Sequence, residues 1–272
     1  RKLTHLVVIG AGAVGLEIAQ AYRRLGTEVT VIEAATPLAK SDPELVEIVV
    51  QRLRDEGVDI RVHTEVTAIQ ARSMGIGVAV KSGESEQLLD ASHILVATGR
   101  TPTLDGLDLE KAGIRRSKAD NRLLQLSAGL RTTNRRVFAV GDAAGGEQSV
   151  HLARQQGEQI AAHVLFALPV RQRPDRVPHV VYTDPEIAEI GLTEAEARAK
   201  TRTGVVVTRW SFAENDRARA DRNTFGTAKL VTDRWGRILG AGIVGNGAGE
   251  LIALFSLALS TRLTARDLMG FV

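Results

Sequence analysis

The sequence predicts an α/β protein that ends in an α+β unit, and three observations carry that prediction. The first is a short, continuous apolar run, Leu6 to Ile9, that breaks on glycine and passes into a helical pattern. The second is the return of such runs at Val29–Ile32, Ile94–Ala97 and Val137–Val140, as strands buried on both faces of a parallel sheet require. The third is a change beyond Pro178, where strand-like runs follow one another with only two helical patterns among them.

Each element has a local cause. After the strand Leu6–Ile9, the residues Val14, Ile18, Tyr22 and Leu25 recur at helical spacing while Gln20, Arg23 and Arg24 take the other side. This predicts an amphipathic helix, closed by Gly26. The strand Val29–Ile32 delivers Glu33. Asp42-Pro43-Glu44 opens a second helix with proline in its first turn; Leu45, Ile48, Val49 and Leu53 form its expected buried stripe, and Gly57 ends it. Runs at Asp59–His63, Val66–Gln70 and Gly77–Lys81, with a turn at Ser82–Ser85, predict strands that include a small β-meander. The strand Ile94–Ala97 stops at Thr98-Gly99-Arg100-Thr101-Pro102, and a polar stretch from Asp105 to Arg122 marks the end of a domain.

Val137–Val140 reads as a further strand running into Gly141-Asp142, followed by a helix from Val150 to Leu168 that Pro169 stops. The Arg- and Pro-rich segment Arg171–Pro178 is the predicted linker and second boundary. Beyond it come strands at His179–Thr183 and Ile187–Ile190. A helix follows whose N-cap is Thr193, with Glu196 completing a capping box. Strands at 205–212, 224–231 and 238–244 and a helix from Gly249 complete the α+β unit.

The opening segment carries chemistry as well as fold. Gly10-x-Gly12-x-x-Gly15 sits between a strand and a helix, the context that turns a common glycine spacing into a Rossmann-like dinucleotide site. Gly10 permits the tight turn, Gly12 the approach of a pyrophosphate to the backbone, and Gly15 close helix–strand packing. The phosphates would lie at the helix N-terminus, where free N–H groups and the positive end of the dipole meet. Glu33 stands 23 residues beyond Gly10, the spacing at which a carboxylate meets the adenosine ribose. A carboxylate accepts hydrogen bonds from both ribose hydroxyls and repels a 2′-phosphate, so NAD(H) is expected over NADP(H), and Glu33→Arg is expected to move preference towards NADPH. The competing reading is a solvated charge at a strand end.

Composition narrows the field. The chain has 272 residues, 44% of them hydrophobic, and a net charge of +3, too small to imply a nucleic-acid partner. The basic clusters Arg115-Arg116-Ser117-Lys118 and Arg171–Arg176 contain no aromatic residue and read as solvated loops. With no cysteine, these residues form no disulfide, no cysteine metal site and no thiol nucleophile. The histidines show no His-x-x-x-His pair, so no metal is expected. The apolar stretch Leu251–Leu259 is too short for a membrane span, which takes about 20 residues, and no signal-peptide core is seen at the start, so the cytoplasm is the expected location. The sequence starts at Arg1 rather than at methionine and is expected to be a fragment.

Four motifs in order carry a resemblance: the glycine fingerprint with Glu33; Ala97-Thr98-Gly99-Arg100; Val137-Phe138-Ala139-Val140-Gly141-Asp142; and Tyr182-Thr183-Asp184-Pro185-Glu186 through Gly191-Leu192-Thr193-Glu194. The series resembles the pyridine nucleotide–disulfide oxidoreductases over essentially the whole chain. The resemblance implies flavoproteins that pass electrons between NAD(P)H, FAD and a redox-active cysteine pair. It implies that residues 1–100 form an NAD(H)-binding domain, 101–172 the C-terminal segment of a discontinuous FAD-binding domain, and 173–272 an interface domain that pairs two subunits as a homodimer. It places Gly99 with the NAD-binding residues, and Asp142 matches the family aspartate that accepts from the FAD ribityl chain; its bland alternative is a carboxylate capping the turn. Glu17 matches a glutamate that pairs with a lysine beside the flavin and supports that site, with an exposed helical carboxylate as the alternative. His151 matches a segment lying against the flavin, where a main-chain contact is expected rather than a catalytic imidazole.

The family's first glycine fingerprint, its cysteine pair and its catalytic histidine–glutamate segment are not among these residues, so no complete catalytic set is expected here. NADH is expected to bind, and FAD poorly. Two alternatives stay open: an NADH oxidase-type flavoprotein without a disulfide, and a non-catalytic, NAD-binding dimerising module. Leu251, Leu254, Leu257 and Leu259 are the apolar positions a unit this size is not expected to bury alone. The electron acceptor is not named by any residue present.

Overall fold

A computed structural model describes residues 2–146, 148–170, 172–173 and 176–270. The chain forms two compact units: residues 1–99 together with 178–272, and residues 100–177. Where the sequence suggests three successive segments, compactness groups the first with the third. Arg171, Pro174 and Asp175 of the predicted linker lie outside the described residues.

The first half of the larger unit is a parallel sheet with a meander. Strands β1 (His5–Ile9), β2 (Glu28–Ile32), β3 (Asp59–Arg61) and β7 (His93–Val96) pair in the order β3-β2-β1-β7, all parallel. Helices α1 (Ala13–Arg24) and α2 (Pro43–Asp55) follow β1 and β2. The antiparallel meander consists of β4 (Glu65–Arg72), β5 (Gly75–Ser82) and β6 (Ser85–Ala91). Strand alternation separates two cores: Leu6, Val8, Val29 and Val31 pack with Leu16, Ala19, Leu45, Val49 and Leu53 of the helices, while Val7 and Ile32 pack with Val78, Val80 and Leu89 of the meander. Strand β6 was not predicted from sequence, because Ser85–Ala91 is mostly polar and turns only Leu89 and Ala91 inward.

Helix α1 departs from the expected stripe. Val14 and Leu25 are 56% and 78% exposed, and the buried residues are Gly15, Leu16, Ala19 and Gln20. Small side chains bring this helix onto the sheet. Gln20, placed by periodicity on the wet face, is buried because its amide pairs with main-chain groups far along the chain.

In the smaller unit, the predicted strand Val137–Val140 is not formed. Phe138 makes a single bridge to Arg131, and the backbone contacts Thr132 N to Val137 O and Ala139 N to Leu130 O complete its pairing. An apolar run becomes a strand only beside another strand, and the described residues of this unit supply none. The regular elements described in it include a 3-10 turn, Gly141–Ala144, and α3 (Val150–Phe166).

The second half of the larger unit is an antiparallel sheet of β8 (His179–Val181), β9 (Glu186–Gly191), β10 (Val205–Ser211), β11 (Thr227–Asp233) and β12 (Ile238–Gly245), ordered β10-β11-β12-β9-β8. Helix α4 (Glu194–Lys200) carries the Thr193/Glu196 capping box read from the sequence. After the short α5 (Asp216–Ala220), helix α6 (Ala248–Thr261) lays Ala248 and Ile252 on β9 and β12, leaving Leu251 and Leu257 exposed; α7 (Ala265–Met269) follows.

Candidate functional site

Parallel pairing aligns the C-terminal ends of β1, β2 and β7, so the Gly10 turn, Glu33 and the Ala97–Gly99 segment meet at one edge of the sheet. Ligands of open α/β sheets bind at this edge. Gly10 has φ +104°, and a Cβ there would lie 2.6 Å from the carbonyl oxygen of Ala97. A Cβ on Gly15 would lie 2.0 Å from the carbonyl oxygen of Gly10. The fold itself therefore demands both glycines. Gly12 is different: its backbone is ordinary (φ −74°, ψ −179°), and a Cβ would meet nothing within 4 Å. Nothing internal asks for glycine at this position. It is the N-cap of α1, whose first turn has neither a capping side chain nor an acidic residue, so its free N–H groups suit an anion. Gly99, at φ +114°, also faces open space.

The Glu33 carboxylate lies beside the turn. Its Oε2 accepts from Ala11 N at 2.7 Å and its Oε1 from Ala35 N at 2.9 Å. Two ligated oxygens retain lone pairs for further donors such as ribose hydroxyls.

Glu17 sits one turn into α1, where its Oε1 accepts from Tyr182 N at 2.9 Å. It is the first of a stripe at i, i+3 and i+7. Gln20 gives to Asp184 O (2.8 Å) and accepts from Asp184 N (2.7 Å), and Arg24 reaches both the Asp184 and the Glu56 carboxylates. The helix that follows the glycine turn is thereby fastened to the Tyr182–Asp184 segment. Sequence reasoning missed this seam, and the spacing of the three polar residues along one helix was its only trace.

In the smaller unit, Gly141 has φ +60°; a Cβ would lie 2.8 Å from the Cβ of Ala153, and Gly141 N gives to the buried Gln156 Oε1 at 2.7 Å. This fixes Asp142 in the 3-10 turn. Its partly exposed carboxylate lies 3.9 Å from Arg100, whose guanidinium gives to Gln148 O at 3.2 Å. His151 is exposed in the first turn of α3.

A second cluster was not anticipated. Lys229 on β11, only 4% exposed, gives its ammonium to Asp42 (2.7 Å), Glu44 (2.7 Å) and Glu194 (3.0 Å), and Arg209 forks onto Glu44 while reaching Glu194. Burial alone would push the lysine down, but its three carboxylates outweigh burial and hold it above its ordinary range. Hydrogen bonding from Arg209, seconded by Lys229, takes Glu44 down to about 2, and Arg198 with Lys229 takes Glu194 to about 2. Glu189, beside Asp42, goes the other way because it is buried. No sequence signal marks the cluster, since its members come from four separate elements.

Among the described residues, no group of three or more His, Cys, Asp or Glu could hold a metal ion, and no helix is long and apolar enough to cross a membrane. The arrangement as a whole can take a diphosphate at α1 and a ribose at Glu33.

Residues 1–157 match the family described as pyridine nucleotide-disulphide oxidoreductase, and residues 177–272 match the dimerisation domain of that family. The chain is 38% identical over 274 residues to a dihydrolipoyl dehydrogenase of Thermus scotoductus, covering 97% of this chain and 57% of that protein. It is 33% identical over 267 residues to a mercuric reductase of Streptomyces lividans, covering 97% and 55% respectively. Among solved structures it is similar to LpdA of Mycobacterium tuberculosis, with a TM-score of 0.90 at 26% identity over 99% of this chain and 58% of that one. It also resembles the HOCl-induced flavoprotein disulfide reductase RclA of Escherichia coli, with a TM-score of 0.88 at 28% identity over 100% and 62%. The chain thus spans a little over half the length of these relatives.

Proposed function

The chain belongs to the pyridine nucleotide-disulphide oxidoreductase family, and on that premise we propose that it forms the NADH-binding part of a flavin-dependent enzyme. That enzyme transfers hydride between NADH and FAD, with a disulfide or related acceptor in the intact protein. One observation carries the reading: Gly12 is a glycine that the fold does not need, in open space over the bare N-terminus of α1. A diphosphate approaching the backbone needs that space.

Each residue then has a task that does not depend on the flavin. Gly10 and Gly15 shape the turn, Gly12 and the first turn of α1 bind the diphosphate, and Glu33 receives the ribose hydroxyls. A 2′-phosphate would meet the same carboxylate and be repelled, so NAD(H) is preferred over NADP(H). Asp142, held by the Gly141–Gln156 bond and keeping free lone pairs, would accept from the ribityl chain of FAD. Flavin, when bound, supplies the hydride-accepting ring. The protein's share of the reaction is to orient the nicotinamide and keep water out.

Residues 177–272 match a dimerisation domain, and the exposed Leu251 and Leu257 on α6 are apolar surface of the kind a homodimer covers. Titration of the purified protein with NADH and NADPH tests the cofactor reading. NADH is expected to bind at least about tenfold more tightly, a difference of about 1.4 kcal/mol. Equal affinities would remove Glu33 from the discriminating role, and no binding of either would sink the nucleotide site. For the dimer, sedimentation should show Leu251→Asp/Leu257→Asp shifting the protein towards monomer.

A further inference from the structure

We infer that Glu33 is a positioning residue that holds the Gly10–Ala11–Gly12 turn in its binding conformation before any nucleotide arrives. The two peptide planes flanking Ala11 are each tied from outside the turn. The plane between Gly10 and Ala11 is held by Ala11 N giving to Glu33 Oε2 at 2.7 Å, and the plane between Ala11 and Gly12 by Leu38 N giving to Ala11 O at 3.0 Å. The other carboxylate oxygen, Oε1, is itself seated on Ala35 N at 2.9 Å, so the clamp cannot swing freely. Ala11 is completely buried, which leaves its N–H no water to turn to if the carboxylate is removed. Among the ties that the described residues make to the turn, this one alone comes from a side chain; Gly10 N to Ile32 O and Leu16 N to Gly12 O are main chain.

The direction of the Gly10–Ala11 peptide decides where Gly12 and the first N–H groups of α1 point. A carboxylate that fixes this peptide therefore acts on the diphosphate, a group it does not touch. Ribose reading and turn holding do not compete, because an ionised carboxylate has about four acceptor positions and the two backbone donors use two. One consequence bears on cofactor exchange. Glu33→Arg removes the clamp together with the repulsion, so it weakens NADPH binding as well as NADH binding instead of trading one for the other.

Two measurements separate positioning from ribose contact. The first needs no nucleotide: hydrogen exchange of the Ala11 amide in the empty protein, with the Val8 amide in the same sheet as reference for global stability. In Glu33→Ala, Ala11 exchange is expected to accelerate about tenfold or more relative to Val8, the size of an unmade buried hydrogen bond. Glu33→Gln keeps an acceptor for only one of the two amides. It should accelerate exchange at Ala11 or Ala35 and serves where the alanine variant folds poorly.

The second measurement is binding of ADP and of 2′,3′-dideoxy-ADP, which has a diphosphate but neither ribose hydroxyl. If Glu33 positions the turn, Glu33→Ala loses about tenfold in affinity for the dideoxy nucleotide, and Glu33→Gln loses affinity in step with any acceleration of its Ala11 exchange. If Glu33 only reads ribose, the dideoxy nucleotide binds the variants as well as wild type, or more tightly because a negative charge near the diphosphate has gone. Unchanged Ala11 and Ala35 exchange, or unchanged or tighter dideoxy-ADP binding, overturns the inference. The binding arm rests on the nucleotide reading proposed above: should wild type bind neither nucleotide, that reading fails, and exchange alone decides the clamp.

Discussion

A lone carboxylate and a cluster of three in the larger unit have opposite characters. At the glycine turn, Glu33 is served by two backbone N–H groups and looks onto open space at Gly12. Around Lys229, by contrast, the three donors of one buried ammonium are matched by three carboxylates, and the adjoining cavity of about 20 Å³ has room for little more than one water. The first site keeps acceptor capacity in reserve beside open space, whereas in the second all three donors of the ammonium are used. Charge that is fully matched inside a seam serves the fold, whereas charge held by backbone donors at the edge of a sheet is available to a ligand.

The contrast is broken most directly at Lys229. Lys229→Met removes the cation and leaves Asp42 buried without its ammonium, for which a loss of about 3–5 kcal/mol is expected in urea unfolding. NADH affinity of the folded fraction should barely change, and a large affinity loss would deny the separation of the two sites. Next in size is Gly15→Ala, whose Cβ would lie 2.0 Å from the Gly10 carbonyl. Overpacking against backbone should cost about 1–3 kcal/mol and weaken nucleotide binding too.

Gly12→Ser sharpens the comparison by sparing the fold. Serine is a good N-cap and meets nothing in the protein, so stability should stay within about 0.5 kcal/mol. NADH binding measured by calorimetry should fall by about tenfold or more if a phosphate occupies that space.

Acid acts on the matched cluster. Glu44 and Glu194 have folded values of about 2, below the ordinary carboxylate range, so they add stability above pH of about 4.5 and lose it progressively as the pH falls towards 2. Glu189 has the reverse sign, because burial raises it; ionising it costs stability as the pH climbs above 4.5. Glu189→Gln keeps an amide oxygen for Asp42 N and should raise Tm at neutral pH by roughly 1–3 °C, with the gain vanishing in acid. A gain that persisted at pH 4 would show that repacking, not charge, was responsible.

Legibility from sequence followed the range of the interactions. Leu6–Ile9, the glycine turn, the Asp42-Pro43 helix start and the Thr193/Glu196 capping box depend on neighbours within a few residues, and each could be read directly. Of the four leucines singled out on the last long helix, Leu251 and Leu257 are exposed, while Leu254 and Leu259 are half-buried, Leu259 against the sheet core. Val137–Val140 misled because apolar composition reports a tendency to pair but says nothing about whether a partner strand is at hand. Gln20 misled for a similar reason: periodicity scores polarity and cannot see Asp184, 164 residues away.

By itself, the sequence determined the strand, glycine turn and helix at its start, the Asp42-Pro43 helix start and the Thr193/Glu196 capping box, and it set a carboxylate 23 residues beyond Gly10. Only the tertiary structure decided that Gly12, alone of the three fingerprint glycines, has no duty to the fold, that Glu33 grips the turn it stands beside, and that Lys229 gathers Asp42, Glu44 and Glu194. The physical reason is distance along the chain. Backbone geometry and capping are settled among near neighbours, whereas empty space, burial and the matching of charges exist only once remote segments have been brought together.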